Sequence, residues 1–294
     1  MPFLALSLEL DGLDPSRAED ICFDHGALAV TLTDARGEPV FEPQPGELKL
    51  WRCSRLEALF SAEQAEPTLL TRLAQALHID TAKLTTRAVA DRIWEREWLR
   101  DFHAMRFGRR LWICPRHETV TASDAVVVQL DPGLAFGTGS HATTRLCLEW
   151  LDQTPLEHVT LMDYGCGSGV LAIAALKLGA SAAYAFDIDP QALLATRDNA
   201  LANRVAARLQ LCSEPPQLPR RCDYLLANIV SDTLIAQRAA LAMLVRGGGE
   251  ALLCGILVDQ EPEVADAFAK WFDMRRFAQR EGWVALIGTR NFTD

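Results

Sequence analysis

The chain has 294 residues, 49% of them hydrophobic, and a formal net charge of −10. Length admits two domains or one large one, and the composition excludes a disordered or fibrous chain. No apolar run approaches the ~20 residues that cross a bilayer, and the start, Met1 to Glu9, has no basic stretch, so neither membrane span nor signal peptide is expected.

The charge is uneven: 11 acids and 5 bases in residues 1–60, 8 and 10 in 61–120, and 20 and 14 in 121–294. An acidic surface repels phosphate backbones, so direct nucleic-acid binding is not expected and a basic protein partner is favoured. Solubility alone accounts for the same charge. The eight cysteines (Cys22, Cys53, Cys114, Cys147, Cys166, Cys212, Cys222 and Cys254) include no C-x-x-C pair and no histidine at zinc-ligand spacing. They read as reduced, buried thiols of a cytoplasmic protein, with no metal site.

Phe3 to Leu10 alternates as a strand, Pro15 to His25 reads as a helix started by Asp14 and stopped by Gly26, and Leu28 to Thr33 alternates again. Leu48 to Cys53 follows a turn-rich stretch as a third strand, Thr68 to His78 is a second helix, and Leu84 to Val89 a fourth strand. The order β-α-β-β-α-β predicts a small ferredoxin-like α+β domain over 1–89. Residues 90–120 read as a connector. Its charged helix, Ala90 to Phe102, places Trp94 and Trp98 on one face, as a stripe docking on a core. Strands Leu111 to Cys114, in the connector, and Ala125 to Leu130 precede a series of alternating elements within 121–294. These are helix 143–153, strand 159–163, helix 169–178, strand 182–187, helix 190–203, strands 208–212 and 223–228, helix 232–245, strand 249–256, helix 260–271 and strand 283–288. That series predicts an α/β, doubly wound, Rossmann-like sheet.

Residues 163–169 read Asp-Tyr-Gly-Cys-Gly-Ser-Gly, and Asp187-Ile188-Asp189 follows at the end of the next strand. Gly165, Gly167 and Gly169 lack a Cβ, so a ligand can lie against bare backbone. Asp187 is placed to accept both hydroxyls of a ribose at the carboxyl end of a parallel strand. The dinucleotide fingerprint requires a glycine where Val170 stands, so a nicotinamide site is disfavoured. The spacing G-x-G-x-G opened by Asp163 is the usual form in S-adenosylmethionine-dependent methyltransferases; an ordinary glycine-rich turn is the plainer alternative.

A second loop, Asp131 to Thr144, carries Gly133, Phe136, Gly137, Thr138, Gly139 and His141 immediately before a helix. Thr143 or Thr144 can cap that helix, whose free N–H groups can also hold a ligand carboxylate. His141 is a candidate proton acceptor, with no second catalytic group beside it. Asn228 ends the strand Asp223 to Ala227, where a donor's reactive carbon faces an acceptor. Its amide is a candidate to hold either one, and a turn-forming role is the alternative. The asparagine–proline–proline–aromatic signature of nucleobase methyltransferases is absent; Ile229-Val230-Ser231 follows instead.

Taken together these residues resemble the PrmA family, bacterial methyltransferases of the large-subunit stalk-base ribosomal protein. The resemblance spans essentially the whole chain. It rests on Val40-Phe41-Glu42-Pro43, Pro45-Gly46-Glu47, Leu50-Trp51, Trp94-Glu95-Arg96-Glu97-Trp98, Phe102-His103 and Met105-Arg106-Phe107-Gly108. Leu130 to Gly139, His141, Thr143-Thr144, the 163–178 block, Asp187-Ile188-Asp189-Pro190 and Ala227-Asn228-Ile229 complete it. It implies an amino-terminal substrate-recognition domain, a linker and a class I methyltransferase domain. It also implies repeated N-methylation of a terminal α-amine and of lysines, with S-adenosylmethionine as donor and contacts at Thr144, Gly165, Asp187 and Asn228. The chain departs at Ala142, where the family usually has proline, and at Ser231-Asp232-Thr233, where small residues and a proline are usual. Methylation of RNA or a small metabolite, and a donor-binding assembly factor without catalysis, are the rival functions. Arg106, Arg109, Arg110 and Arg116 are the candidates for the local basic patch that an RNA substrate would need.

Overall fold

Alternation builds the first strand. In β1 (Phe3–Glu9) Leu6 and Leu8 are buried while Ser7 and Glu9 are not. The computed structural model describes residues 3–36, 53–61, 67–89, 103–130, 139–219 and 221–292. Its contacts divide the chain into Met1–Glu97 and Trp98–Asp294.

In the first unit β1 lies between β3 (Ser54–Ser61) and β4 (Thr85–Val89), and β2 (Ala29–Asp34) pairs with the far edge of β3, every pair antiparallel. Helix α1 (Pro15–Asp24) begins where Asp14 accepts the Arg17 N–H at 2.8 Å, with Pro15 in the first turn. Helix α2 is Pro67–Leu77. Cys22, Leu69, Leu73 and Leu77 from the helices pack with Leu6, Leu8, Leu56, Ala58 and Phe60 into one core. The partner of β1 is β3, over Ser54–Ser61, where no strand is expected from the sequence. Residues 48–52, like the Trp94/Trp98 helix and the Val40 to Trp51 motif, lie outside the described residues.

In the second unit a small sheet, β5 (Met105–Phe107), β6 (Leu111–Cys114) and β7 (Val126–Gln129), precedes the large one. The large sheet contains β8 (Thr160–Tyr164), β9 (Ala182–Phe186), β10 (Leu209–Cys212), β11 (Cys222–Asn228), β12 (Val245–Leu257), β13 (Phe272–Arg280) and β14 (Trp283–Arg290), in the order β10-β9-β8-β11-β12-β14-β13. All neighbours are parallel except β14, which is antiparallel to both β12 and β13. This is the Rossmann-like class I methyltransferase sheet. Helices α3 (Ala142–Gln153) and α4 (Val170–Leu178) pack on one core with Leu161, Leu226 and Leu252. Helices α6 (Ser231–Leu244) and α7 (Glu261–Phe268) pack on another with Met162, Leu225 and Leu253. Neighbouring residues of one strand thus serve opposite cores, as a pleated strand covered on both faces requires. The remaining helix, α5, is Pro190–Ala202. Strand order reverses beside β8, and the crevice outside the carboxyl ends of β8 and β11 is the place where such sheets bind ligands. Among the described residues no helix is long and apolar enough to cross a membrane.

Candidate active site

β8 ends at Tyr164, and the chain then turns through Gly165, Gly167 and Gly169, with φ of 79°, 52° and 75°. L side chains rarely adopt that region. A Cβ on Gly165 would collide with the Ile229 side chain, and one on Gly169 would lie 2.6 Å from Thr196 Cγ2. The loop is held from three sides. Gly165 and Cys166 donate to the Phe186 carbonyl at 2.8 and 3.0 Å. From α5, Thr196 Oγ1 donates to the Gly167 carbonyl at 2.9 Å and Asn199 Nδ2 to the Ser168 carbonyl at 3.0 Å. Asp187, at the end of β9, accepts the Gly167 N–H on Oδ2 at 2.9 Å and the Asp189 N–H on Oδ1 at 3.0 Å. Each carboxylate oxygen keeps a second acceptor position, so the group can still take two hydroxyls.

Above this loop opens a cleft of about 630 Å³. Five of the residues singled out from sequence line it: His141, Gly165, Gly167, Asp187 and Asn228. Gly169 does not; it occupies the cap position of α4. Thr144, 1% exposed, stands behind the wall, where its Oγ1 accepts from Asn228 Nδ2 at 3.5 Å. Phe136, Gly137 and Thr138 lie outside the described residues.

Asp163 is also absent from the lining. Its side chain is fully buried, with Oδ2 accepting the Ala172 N–H at 3.1 Å and Oδ1 without a partner. Burial, then the repulsion of Asp187, push its carboxyl up to about 7.

His141 caps α3: its Nδ1 accepts the Thr143 N–H at 3.3 Å and lies 2.7 Å from the Thr143 hydroxyl. A backbone N–H only donates, so Nδ1 is the acceptor and the neutral ring carries its proton on Nε2. That commits the Nδ1 lone pair to the helix cap. Burial pushes the Cys166 thiol far up, so the one sulfur in the glycine loop is no nucleophile.

The rest of the lining is Thr143 of α3, the chain neighbours Tyr164, Phe186, Ile188, Ile229 and Val230, and Thr233, Gln237, Gly255 and Trp283 from other segments. Arg280, at the end of β13, pairs with Glu149 of α3 at 3.1 Å and holds the β13–β14 hairpin against that helix. Trp283, the first residue of β14, then meets the His141 ring edge-on at 5.3 Å. A Cβ on Gly255 would strike the Ile229 carbonyl, so only glycine lets β12 pass this close. Ile188 is 86% exposed, an apolar side chain beside the ribose-type acid. Tyr164, Phe186, Ile188 and Ile229 carried a local signal, each adjoining Gly165, Asp187 or Asn228. Trp283 and Gly255 had none.

The chain matches the family described as ribosomal protein L11 methyltransferase (PrmA) over residues 2–291. It is 46% identical over 291 residues to "Ribosomal protein L11 methyltransferase" of Pseudomonas aeruginosa (strain LESB58), covering 99% of each chain. The protein of the same name from Pasteurella multocida (strain Pm70) is 43% identical over 290 residues, covering 98% of this chain and 99% of that one. Among solved structures, the ribosomal protein L11 methylase of Lactobacillus delbrueckii subsp. bulgaricus aligns with a TM-score of 0.59 and 30% identity, over 65% of this chain and all of that one. With a family match across nearly its full length and relatives this similar, the chain belongs to the ribosomal protein L11 methyltransferase family.

Proposed function

We propose that this chain transfers methyl groups from S-adenosylmethionine to the terminal α-amine and lysine side chains of the large-subunit ribosomal protein L11. The observation that carries the reading is the pairing, across one cleft, of the Gly165–Asp187 cradle with Asn228. The residues fit an adenosine: Gly165 leaves bare backbone, Asp187 retains two acceptor positions for ribose hydroxyls, and Ile188 offers an apolar face for the base. Thr144 stands behind this site, steadying Asn228.

When bound, the donor supplies an electrophilic methyl on a sulfonium. The protein's own residues must bring a neutral amine to it. Asn228 donates through Nδ2 to Thr144, which leaves its carbonyl oxygen to accept an N–H of the incoming amine and aim the nitrogen lone pair. Deprotonating an α-amine of pKa ~8 at pH 7 costs about 1.4 kcal/mol, and a lysine of ~10.4 about 4.6 kcal/mol. The apolar wall of Tyr164, Phe186, Ile229 and Trp283 lowers that cost by disfavouring the ammonium form. With Nδ1 of His141 occupied as a cap, the proton leaves to water.

In the same reading residues 1–89 form a ferredoxin-like domain that recognises the protein substrate, 90–120 a linker and 121–294 the catalytic domain. The sheet order β2-β3-β1-β4, its antiparallel pairing and its two helices support the first assignment. The division of contacts after Glu97 falls within the linker. In this reading the enzyme works in the cytoplasm, and the net charge of −10 supports a protein target over direct contact with nucleic acid.

Incubation with methyl-labelled donor and purified L11, followed by mass measurement, tests the proposal. Label on the amino terminus and lysines is expected. Label confined to rRNA, or donor binding with no transfer to any ribosomal protein, would refute it.

A further inference from the structure

Asp163 ends up as a buried acid with no opposite charge. It is 0% exposed, accepts one N–H, and leaves Oδ1 with no partner. Its cross-strand neighbours are Ala185 of β9 and Leu226 of β11. From α3 and the glycine loop it is faced by the thiols of Cys147 and Cys166, and the Cys147 thiol hydrogen-bonds with that of Cys254 of β12. Among the described residues the one charge acting on it is the carboxylate of Asp187, of its own sign. A carboxylate so placed lacks both counter-charge and a full set of donors, so the protonated form is favoured. Burial and Asp187 together raise its carboxyl to about 7, against the lowering by the Ala172 N–H.

The charge missing from this arrangement is positive, and the proposed donor carries one on its sulfur. We infer that Asp163 senses charge from beneath the cleft floor: a neutral acid when no cation occupies the cleft, and a carboxylate, its proton released to water, when a sulfonium nucleoside is bound. This rests on the donor-site reading above. Transfer of the methyl group removes the positive charge from the nucleoside, and Asp163 then regains a proton from water. No electron changes hands. Because binding releases a proton, donor affinity rises with pH up to about 7 and gains nothing more from this group above it. The neutral thioether product draws no such benefit, so the same acid discriminates donor from product.

Calorimetry on the full chain at pH 6.5, in buffers of different ionisation enthalpy, counts the proton directly. S-adenosylmethionine and S-adenosylhomocysteine are the two probes; they share the amine and carboxylate, whose own titrations cancel in the comparison. The expected release is about 0.5–0.7 proton for the sulfonium and close to none for the thioether. Donor affinity should fall about 4-fold between pH 7 and pH 6. In Asp163→Asn, which keeps an acceptor oxygen but holds no titrating proton, both effects should vanish. Donor binding without proton exchange, equal exchange for the two probes, or exchange that survives in Asp163→Asn would each overturn the inference. If that variant does not fold, the wild-type counts alone decide. Failure of both probes to bind would instead overturn the donor-site reading, so the two failures are distinguishable.

Discussion

At Asp187 two duties meet on one carboxylate: it ties down the Gly167 N–H and, in the proposed function, grips a ribose. Asp187→Ala loses both, and donor affinity measured by calorimetry should fall about 10- to 100-fold, the effect of losing charge-assisted hydrogen bonds. Asp187→Asn, which keeps one acceptor oxygen, should lie between that variant and wild type. His141 makes the opposite case. Its Nδ1 is committed to the Thr143 N–H, so His141→Asn, an equally good cap, should leave kcat within about 10-fold and the pH–rate profile unmoved. A general base would cost 100-fold or more and take one limb of that profile with it. Asp187 and Asn228 were legible from their places at strand ends after a glycine loop. The cap geometry of His141 was not, because a tautomer is chosen by the neighbour that donates to it.

Elements obey the same division. The glycine loop and α4 were readable because Val170 to Leu178 is apolar except for the exposed Lys177 in its last turn, the composition of a helix buried on nearly every side. The grip of α5 on that loop was not, since Thr196 and Asn199 look like ordinary polar helix residues until the helix is packed. Gly169→Ala should lower stability by about 1–3 kcal/mol in urea titration, through strain at positive φ and collision with Thr196. Thr196→Val should cost about 1 kcal/mol through the hydrogen bond to Gly167. Three strands escaped the sequence: the three-residue β5, and β3 and β13, these last two for opposite reasons. Leu56-Glu57-Ala58-Leu59-Phe60 is made of good helix formers, yet its pairing with β1 and β2 imposes a strand. β13, with Arg275 and Arg276 exposed, has the charged character of an edge strand and no apolar alternation to betray it.

On the scale of the whole molecule, charge is the available lever. The chain is acidic by −10, so a basic protein substrate should be steered to it, and KM for that substrate should rise several-fold between about 50 and 300 mM salt. An unchanged KM would show that the acid excess lies away from the docking surface. Folding stability carries a second signature. Asp163 titrates higher folded than unfolded, so the native state holds the extra proton and stability falls as pH rises from about 4 towards about 7. Chemical denaturation of Asp163→Asn beside wild type should show the variant's relative stability improving over that window by a few kcal/mol at most.

By itself the sequence determined the sheet type, the glycine turn and the two strand-end polar residues. Each of these is encoded within a few positions, by φ preference, by periodicity, or by where a strand stops. Tertiary structure alone decided that Asp163 lies beneath the floor and not in the cleft, and that Thr196 and Asn199 hold the loop. It also brought Trp283 and Gly255 to Ile229 and His141. Those outcomes depend on which strands neighbour β8 and on which side chains the packed helices turn toward it. Contacts between residues so far apart along the chain leave no local trace.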